Sequence, residues 1–354
     1  MKILDINVIN FRNIKEKKFE FADTITYVYG ENGSGKTNLL EAIYYLSCGK
    51  SFRNVKDSDI RMRETEYFHV DGTVSSDDTK HKIAMGMKSG EKKIILDGKN
   101  IKKVSELFGV FIPVVFSPED TSVINGSPMI RRRFIDRMIA STDNDYIIYL
   151  KKYNYALEQR NKLFREAIDN DENLLYAYEK ILTKNGIIIA ERRRETVDKL
   201  NEIITDIYFR ITGAKDRIFV NYKSEFTDGD RDDLLLRYRN KRGNDKLLKR
   251  TSFGVHTDDI QIVINGENSR YFASTGEKKS LVVALRIAES DIYNKIKNEY
   301  PVMLLDDIFS ELDEKRRRNL LKFFIDKAQV IITSPERYDI GTGVAYINME
   351  QIDG

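Results

Sequence analysis

The sequence predicts an α/β fold: a mixed core sheet with flanking helices, an antiparallel β patch beside it, and an inserted helical arm. Three observations predict it. The string Gly30-Glu31-Asn32-Gly33-Ser34-Gly35-Lys36-Thr37 has the form of a phosphate-binding loop and stands between a strand-like run, Thr24 to Tyr29, and an apolar-periodic helix, Leu39 to Leu46. A second apolar run, Pro301 to Leu305, ends in Asp306-Asp307, as a strand buried on both faces of a parallel sheet would. Between these halves, Asp145 to Thr212 becomes charged and helix-favouring, with Leu, Ile and Tyr at three-to-four spacing and no proline.

The loop carries the first chemistry. Its three glycines let backbone N–H groups turn inward around an oxyanion. Lys36 adds a fixed positive charge for β- and γ-phosphates, and the Thr37 hydroxyl is placed to bind Mg²⁺. A glycine-rich turn is the competing reading, but strand, loop and helix in this order point a helix N-terminus at a phosphate. Gly30, Glu31, Asn32, Gly33, Ser34, Gly35, Lys36, Thr37 and Asn38 are the expected nucleotide-binding residues.

Composition sets limits. At 354 residues and 41% hydrophobic content, the chain can bury one large core or two modest ones. Cys48 is the single cysteine, so no internal disulfide can form, and a reduced, packed thiol is expected. No apolar run approaches the roughly 18 residues of a membrane span, and Met1 to Ile6 alternates like a strand. The expectation is a cytoplasmic protein with no membrane partner. Fifty-nine basic against 56 acidic residues leave +3, so a nucleic-acid-binding face would have to be local.

In chain order, Ile3 to Ile9 and Phe19 to Phe21 alternate as strands around Asn10-Phe11-Arg12-Asn13. After the first helix, Gly49-Lys50-Ser51-Phe52-Arg53 is either a solvated turn or a nucleotide or DNA contact. Strands follow at His69 to Val74, Lys82 to Met87 and Lys93 to Leu96, with Asp97-Gly98 as a hairpin turn. Phe111 to Phe116 is another strand. Arg131, Arg132 and Arg133 begin a helix, with a solvated face and a phosphate-facing role in competition. Two amphipathic helices, split near Asp169 to Asn173, make an antiparallel hairpin whose mixed charges, such as Glu191-Arg192-Arg193-Arg194-Glu195, read as a solvated face. Ile218 to Tyr222 is a strand, Asp232 to Lys249 a charged helix, and Ile260 to Ile264 a strand closed by Asn265-Gly266. His256 has no metal-spaced companion and reads as structural. The expected organisation is a head from 1–140 and 250–354, with an arm at 141–215 that extends to about 249 on its widest reading.

The second half completes a site. At its strand end, Asp306 would hold Mg²⁺, usually through water, while Asp307 would orient and deprotonate the attacking water. Upstream, Ser274-Thr275-Gly276-Glu277 opens the helix Leu281 to Ala288, a second place where amide groups and helix dipole favour phosphate. One nucleotide does not need two such loops from one subunit, so the second loop is expected to complete the site of another copy. Val330 to Ser334 is one more core strand, with Thr333 or Ser334 placed to sense the γ-phosphate.

Phosphate loop, polar loop after a strand, serine-glycine helix start, paired acids and polar-tipped strand follow the order of ATP-binding-cassette ATPases. The chain resembles the RecF family, bacterial recombination and repair ATPases related to the heads of structural maintenance of chromosomes proteins. The resemblance rests on Asn10-Phe11-Arg12-Asn13, Gly35 to Ala42, Lys50-Ser51-Phe52-Arg53, Phe116-Ser117-Pro118-Glu119-Asp120, Gln159-Arg160-Asn161, Leu304 to Asp307 and Ser310-Glu311-Leu312-Asp313. It departs from the family in having Gly254-Val255-His256-Thr257-Asp258-Asp259 where Gly-Pro-His-Arg-Asp-Asp is usual, and Glu277-Lys278-Lys279 where glutamine is common.

The resemblance implies an ABC-type head using ATP and Mg²⁺, with Lys36 and Asp307 catalytic and Thr37 and Asp306 on the metal. It implies a homodimer formed on ATP binding, each phosphate loop facing the partner copy's signature residues Ser274, Thr275, Gly276 and Glu277. It further implies DNA binding at gaps and junctions, slow hydrolysis that times release, and cooperation with RecO and RecR in loading RecA. Arg53, Arg131, Arg132 and Arg133 are the candidate DNA contacts. Two other readings stay open: a nucleotide-regulated scaffold whose arm binds proteins, and, more weakly, a transporter subunit.

Overall fold

A computed structural model describes the chain except residues 54, 108, 167–171, 227–229, 311, 326 and 351–354 and the side chain of Ser105. The polar turn expected at Asp169 to Asn173 lies largely outside the described residues. The chain packs as two compact units: Met1–Asp120, Ile207–Ala214 and Lys279–Gly354 form one, and Thr121–Asp206 with Lys215–Lys278 the other. The second unit thus takes in more than the 141–215 arm. Its three-stranded sheet and the helix Pro128–Thr142 pack with the long helices, a non-local association that texture along the chain does not mark.

The core sheet of the first unit has five parallel strands, in the order Val344–Asn348, Ile25–Tyr29, Val330–Ser334, Val302–Asp306 and Pro113–Phe116. Val302–Asp306 and Val330–Ser334 are buried at every position, which explains their unbroken apolar runs. The registers set Asp306 beside Thr333 and Ser334 beside Tyr29. The carboxyl ends of three strands, carrying Gly30, Asp307 and Ser334, therefore share one edge, where ligands of parallel sheets bind.

Beneath the phosphate loop runs the helix Lys36–Cys48, with Leu39, Leu40, Ala42, Ile43, Tyr45 and Leu46 fully buried. Each larger side chain stabilises by about 1.5–3 kcal/mol. Gly49 ends the helix at φ 59°, its N–H donating to the Tyr45 carbonyl at 2.7 Å. The Cys48 thiol is half-buried.

The two β patches that the sequence shows separately are one antiparallel sheet, ordered Ile14–Glu20, Lys2–Phe11, Tyr67–Ser76, Thr79–Lys88, Glu91–Leu96 and Lys99–Asn100. Lys2–Phe11 joins them by pairing with Ile14–Glu20 on one side and Tyr67–Ser76 on the other. Parallel and antiparallel strands are thus sorted into separate sheets. Phe11, Tyr45 and Phe68 meet edge to face, with centroids 5.5–5.9 Å apart, and fasten the helix Lys36–Cys48 to this sheet.

The second unit holds the helices Pro128–Thr142, Asn144–Glu166, most of Glu172–Thr212 and Arg231–Leu248, with an antiparallel sheet ordered Glu267–Asn268, Asp259–Ile264 and Ile218–Lys223. Its interior is laced with ions. Arg160, with no exposed surface, donates to Glu179, Asp245 and Thr251. Arg193 corrects the expectation of a solvated face: it is buried, bidentate to Asp136, and bonded to Asp258 and the Val255 carbonyl. Its neighbours Arg192 and Arg194 differ from it only in helical phase, so i to i+1 composition could not single it out. Among the described residues no helix is long and apolar enough to cross a membrane.

Candidate nucleotide-binding site

The phosphate loop leaves the strand Ile25–Tyr29 at Gly30 and enters its helix at Lys36. Gly33 and Gly35 have φ of 90° and 100°, the left-handed turns that aim successive N–H groups into one concavity. A side chain at Gly35 would stand 2.8 Å from Asn13 Oδ1. Asn13 braces the loop, donating to the Gly33 carbonyl at 2.6 Å and accepting from Asn38 Nδ2 at 2.7 Å. Lys36 folds along the loop and donates to the carbonyls of Gly30 and Glu31, both at 2.7 Å. Burial lowers its pKa, opposed by the charges of Asp307, Asp306 and Glu350.

Asp306 and Asp307 reach the same edge. Thr37 Oγ1 and Thr333 Oγ1 each donate to Asp306 Oδ1 at 2.8 Å. Burial raises the Asp306 pKa, while those two hydroxyls and the nearby Arg53 charge hold it down. Asp307 takes a left-handed φ of 49°, and its N–H donates to the Thr333 carbonyl and hydroxyl at 3.1 and 3.2 Å. Thr333 therefore serves the paired acids directly, and Ser334 is buried at the strand tip.

A hydroxyl and a carboxylate in contact suit Mg²⁺, which takes one or two protein oxygens and keeps waters and phosphate oxygens for the rest. The Ser34 hydroxyl and Asp307 Oδ1 are shielded polar atoms without a hydrogen-bond partner, as expected where a polar ligand belongs. The residues fit ATP with Mg²⁺: Thr37 and Asp306 would hold the ion, which when bound would neutralise phosphate charge. Asp307 has an acceptor atom to orient a water, and Lys36 brings the positive charge.

A supporting cluster, which spacing along the chain does not show, surrounds Glu41. Glu41, fully buried in the helix Lys36–Cys48, receives Arg12 through both oxygens at 2.7 and 3.0 Å, and also the Ser51 hydroxyl. Arg53 lies 3.5 Å from the same carboxylate and 3.3 Å from Asn38 Oδ1. Arg53 is thus tied to the phosphate-loop helix. One buried anion ties Arg12, just past the strand Lys2–Phe11, and the residues Ser51 and Arg53 to the phosphate-loop helix. A carboxylate amid apolar helix positions was the available signal.

Ser274 and Glu277 cap the helix Thr275–Lys297 reciprocally, Ser274 N–H donating to Glu277 Oε2 at 2.7 Å and Glu277 N–H to Ser274 Oγ at 3.3 Å. This capping box fixes Ser274 at the helix start, with its hydroxyl proton available to an anion. Thr275 and Gly276 form the first helical turn. Lys36 and Ser274 belong to different compact units.

Of the arginine run, Arg131 is buried and bidentate to Asp259 at 2.7 and 3.1 Å, which removes it from the DNA candidates: its charge is spent inside the unit. Arg132 is half-buried and donates to the Asp258 carbonyl at 2.6 Å. Arg133 is exposed and remains a candidate. His256 is structural, bonded to the Tyr153 hydroxyl at 2.7 Å and the Thr251 carbonyl at 3.0 Å.

The profile of the RecF/RecN/SMC N terminal domain family matches residues 2–351. The DNA replication and repair protein RecF of Clostridioides difficile is 35% identical over 343 residues, covering 95% of this chain and 92% of that protein. That of Caldanaerobacter subterraneus is 35% identical, covering 96% of each. Among solved structures, the recombination mediator protein RecF-ATP of the RecFOR pathway superposes with TM-score 0.88 at 34% identity, covering 96% of this chain and 93% of that one. An SMC head bound to the C-winged helix domain of ScpA, at 18% identity and TM-score 0.54 over 95% and 90% of the two chains, shares the fold.

Proposed function

The chain belongs to the RecF family of DNA replication and repair proteins, with the ABC-type ATPase head of that family, and from this premise we propose that it is an ATP-gated DNA-binding dimer. Two copies sandwich two ATP molecules. In each site the phosphate loop, Thr37, Asp306 and Asp307 come from one copy and Ser274 to Glu277 from the other. Hydrolysis is slow and opens the dimer, releasing DNA held at gaps or junctions. RecO, RecR and RecA are the pathway partners.

The observation that carries this reading is the bond between Thr37 and Asp306, which brings the phosphate loop and the paired acids to one edge. The capped, exposed start of the helix Thr275–Lys297 supports the second, trans half. The test is ATP-dependent retention of gapped DNA. Binding should require ATP and Mg²⁺ and weaken steeply with salt, because phosphate contacts release counterions. Salt-insensitive or absent DNA binding would favour a scaffold whose arm binds proteins. The burial of Arg131, Arg160 and Arg193 is the observation that keeps this second reading in view, since those charges are neutralised internally.

A further inference from the structure

We propose that Glu350 is a positioning residue of the nucleotide site, acting through the Gly30–Glu31 peptide; this rests on the nucleotide-binding reading above. The segment before it is held firmly. Val344–Asn348 pairs in register with Ile25–Tyr29, so that Asn348 stands beside Tyr29 at the mouth of the phosphate loop. The next residue, Met349, is buried; its N–H donates to the Tyr29 carbonyl at 2.9 Å, and its own carbonyl accepts from Lys17 Nζ at 2.9 Å. The N–H of Glu350 in turn donates to Asn348 Oδ1 at 3.1 Å.

That placement delivers a carboxylate to the loop's first peptide. Glu350 Oε1 accepts from the Glu31 N–H at 2.6 Å. The carbonyl of the same peptide, Gly30 O, accepts from Lys36 Nζ at 2.7 Å. One peptide plane is thus gripped at both ends, an anion on its N–H and a cation on its C=O. Charge-assisted bonds of this kind are roughly twice as strong as neutral ones. Both polarise the peptide in the same sense, so each strengthens the other. The direction of the Lys36 ammonium, the charge offered to the triphosphate, is therefore set partly from 314 residues downstream in sequence, at the far end of the edge strand.

Gly30 fits this arrangement. Its φ is 150°, and a side chain there would stand 3.1 Å from Ser34 Oγ and 3.3 Å from Glu350 Oε1. Glu350 is exposed, so removing it empties no core. A merely structural contact would register in stability and leave nucleotide affinity alone. A positioning contact does the reverse, and an uncharged acceptor should restore much of it.

The experiment compares wild type, Glu350→Ala and Glu350→Gln by titration calorimetry with Mg²⁺ and ATP, alongside thermal melting. We expect Glu350→Ala to weaken ATP binding roughly three- to thirtyfold, with melting unchanged. Glu350→Gln, which keeps an acceptor oxygen without the charge, should recover roughly half of that loss. Glu350→Ala binding within twofold of wild type overturns the proposal, as does an equal loss in both variants. Wild type that fails to bind ATP overturns the nucleotide reading itself, and this inference with it.

Discussion

The hydroxyl of Thr37 donates to the carboxylate of Asp306 at 2.8 Å, although 269 residues separate them. That bond closes the circuit between the two motifs, and the shared acceptor oxygen also receives Thr333. Asp306 is therefore held buried, with two hydroxyls on one of its oxygens.

Asp306→Asn keeps an acceptor for both hydroxyls and removes the charge. The expected outcome is a loss of roughly tenfold or more in ATP affinity with Mg²⁺ and little change in EDTA. Paired titrations in the two buffers check it; equal losses in both would remove Asp306 from the metal.

Asp307→Asn should leave ATP affinity near wild type and slow hydrolysis roughly a hundred- to ten-thousandfold, the usual cost of losing a catalytic base. Its backbone bonds to Thr333 do not involve the carboxylate, so the left-handed backbone there persists. Steady-state turnover measured beside nucleotide binding decides it, and unchanged turnover would assign the base elsewhere.

Arg131 and Arg133 should separate cleanly. Arg131→Ala strands Asp259 and should destabilise by roughly 3 kcal/mol, read by denaturant unfolding. Arg133→Ala should leave stability within about 0.5 kcal/mol and lower the salt dependence of gapped-DNA binding by about one unit of slope if the side chain meets a phosphate. An unaltered slope would strike Arg133 from the DNA face.

Much of the site was legible in the sequence because its chemistry is local. Three glycines before a lysine, and two carboxylates after five buried apolar residues, announce themselves within eight residues. The remainder depends on pairing across the chain. Nothing near Lys2–Phe11 shows that it bridges two β segments, and Val344–Asn348, half-buried throughout, lacks the apolar contrast of a core strand. Asn13, Glu41 and Glu350 act through loops brought together by the fold. Arg131 and Arg193 look like surface charges until their acidic partners, more than fifty residues away, are placed beside them.

His256 gives a pH signature for the second unit. Burial lowers its pKa from 6.5 to about 4, against a hydrogen bond to the Thr251 carbonyl. The unfolded chain then binds a proton that the folded one excludes, so this group's share of stability falls as pH drops from about 6.5 to about 4 and levels off below. The loss is at most about 3 kcal/mol. Unfolding curves across that window should flatten in His256→Gln; an identical slope would mean other groups govern it.

Whether two copies share each nucleotide is decided by molar mass from light scattering, for wild type and Ser274→Arg, with and without ATP and Mg²⁺. Wild type should double in mass with ATP, while Ser274→Arg should bind ATP and stay monomeric. Dimerisation of Ser274→Arg to the wild-type extent would contradict that sharing.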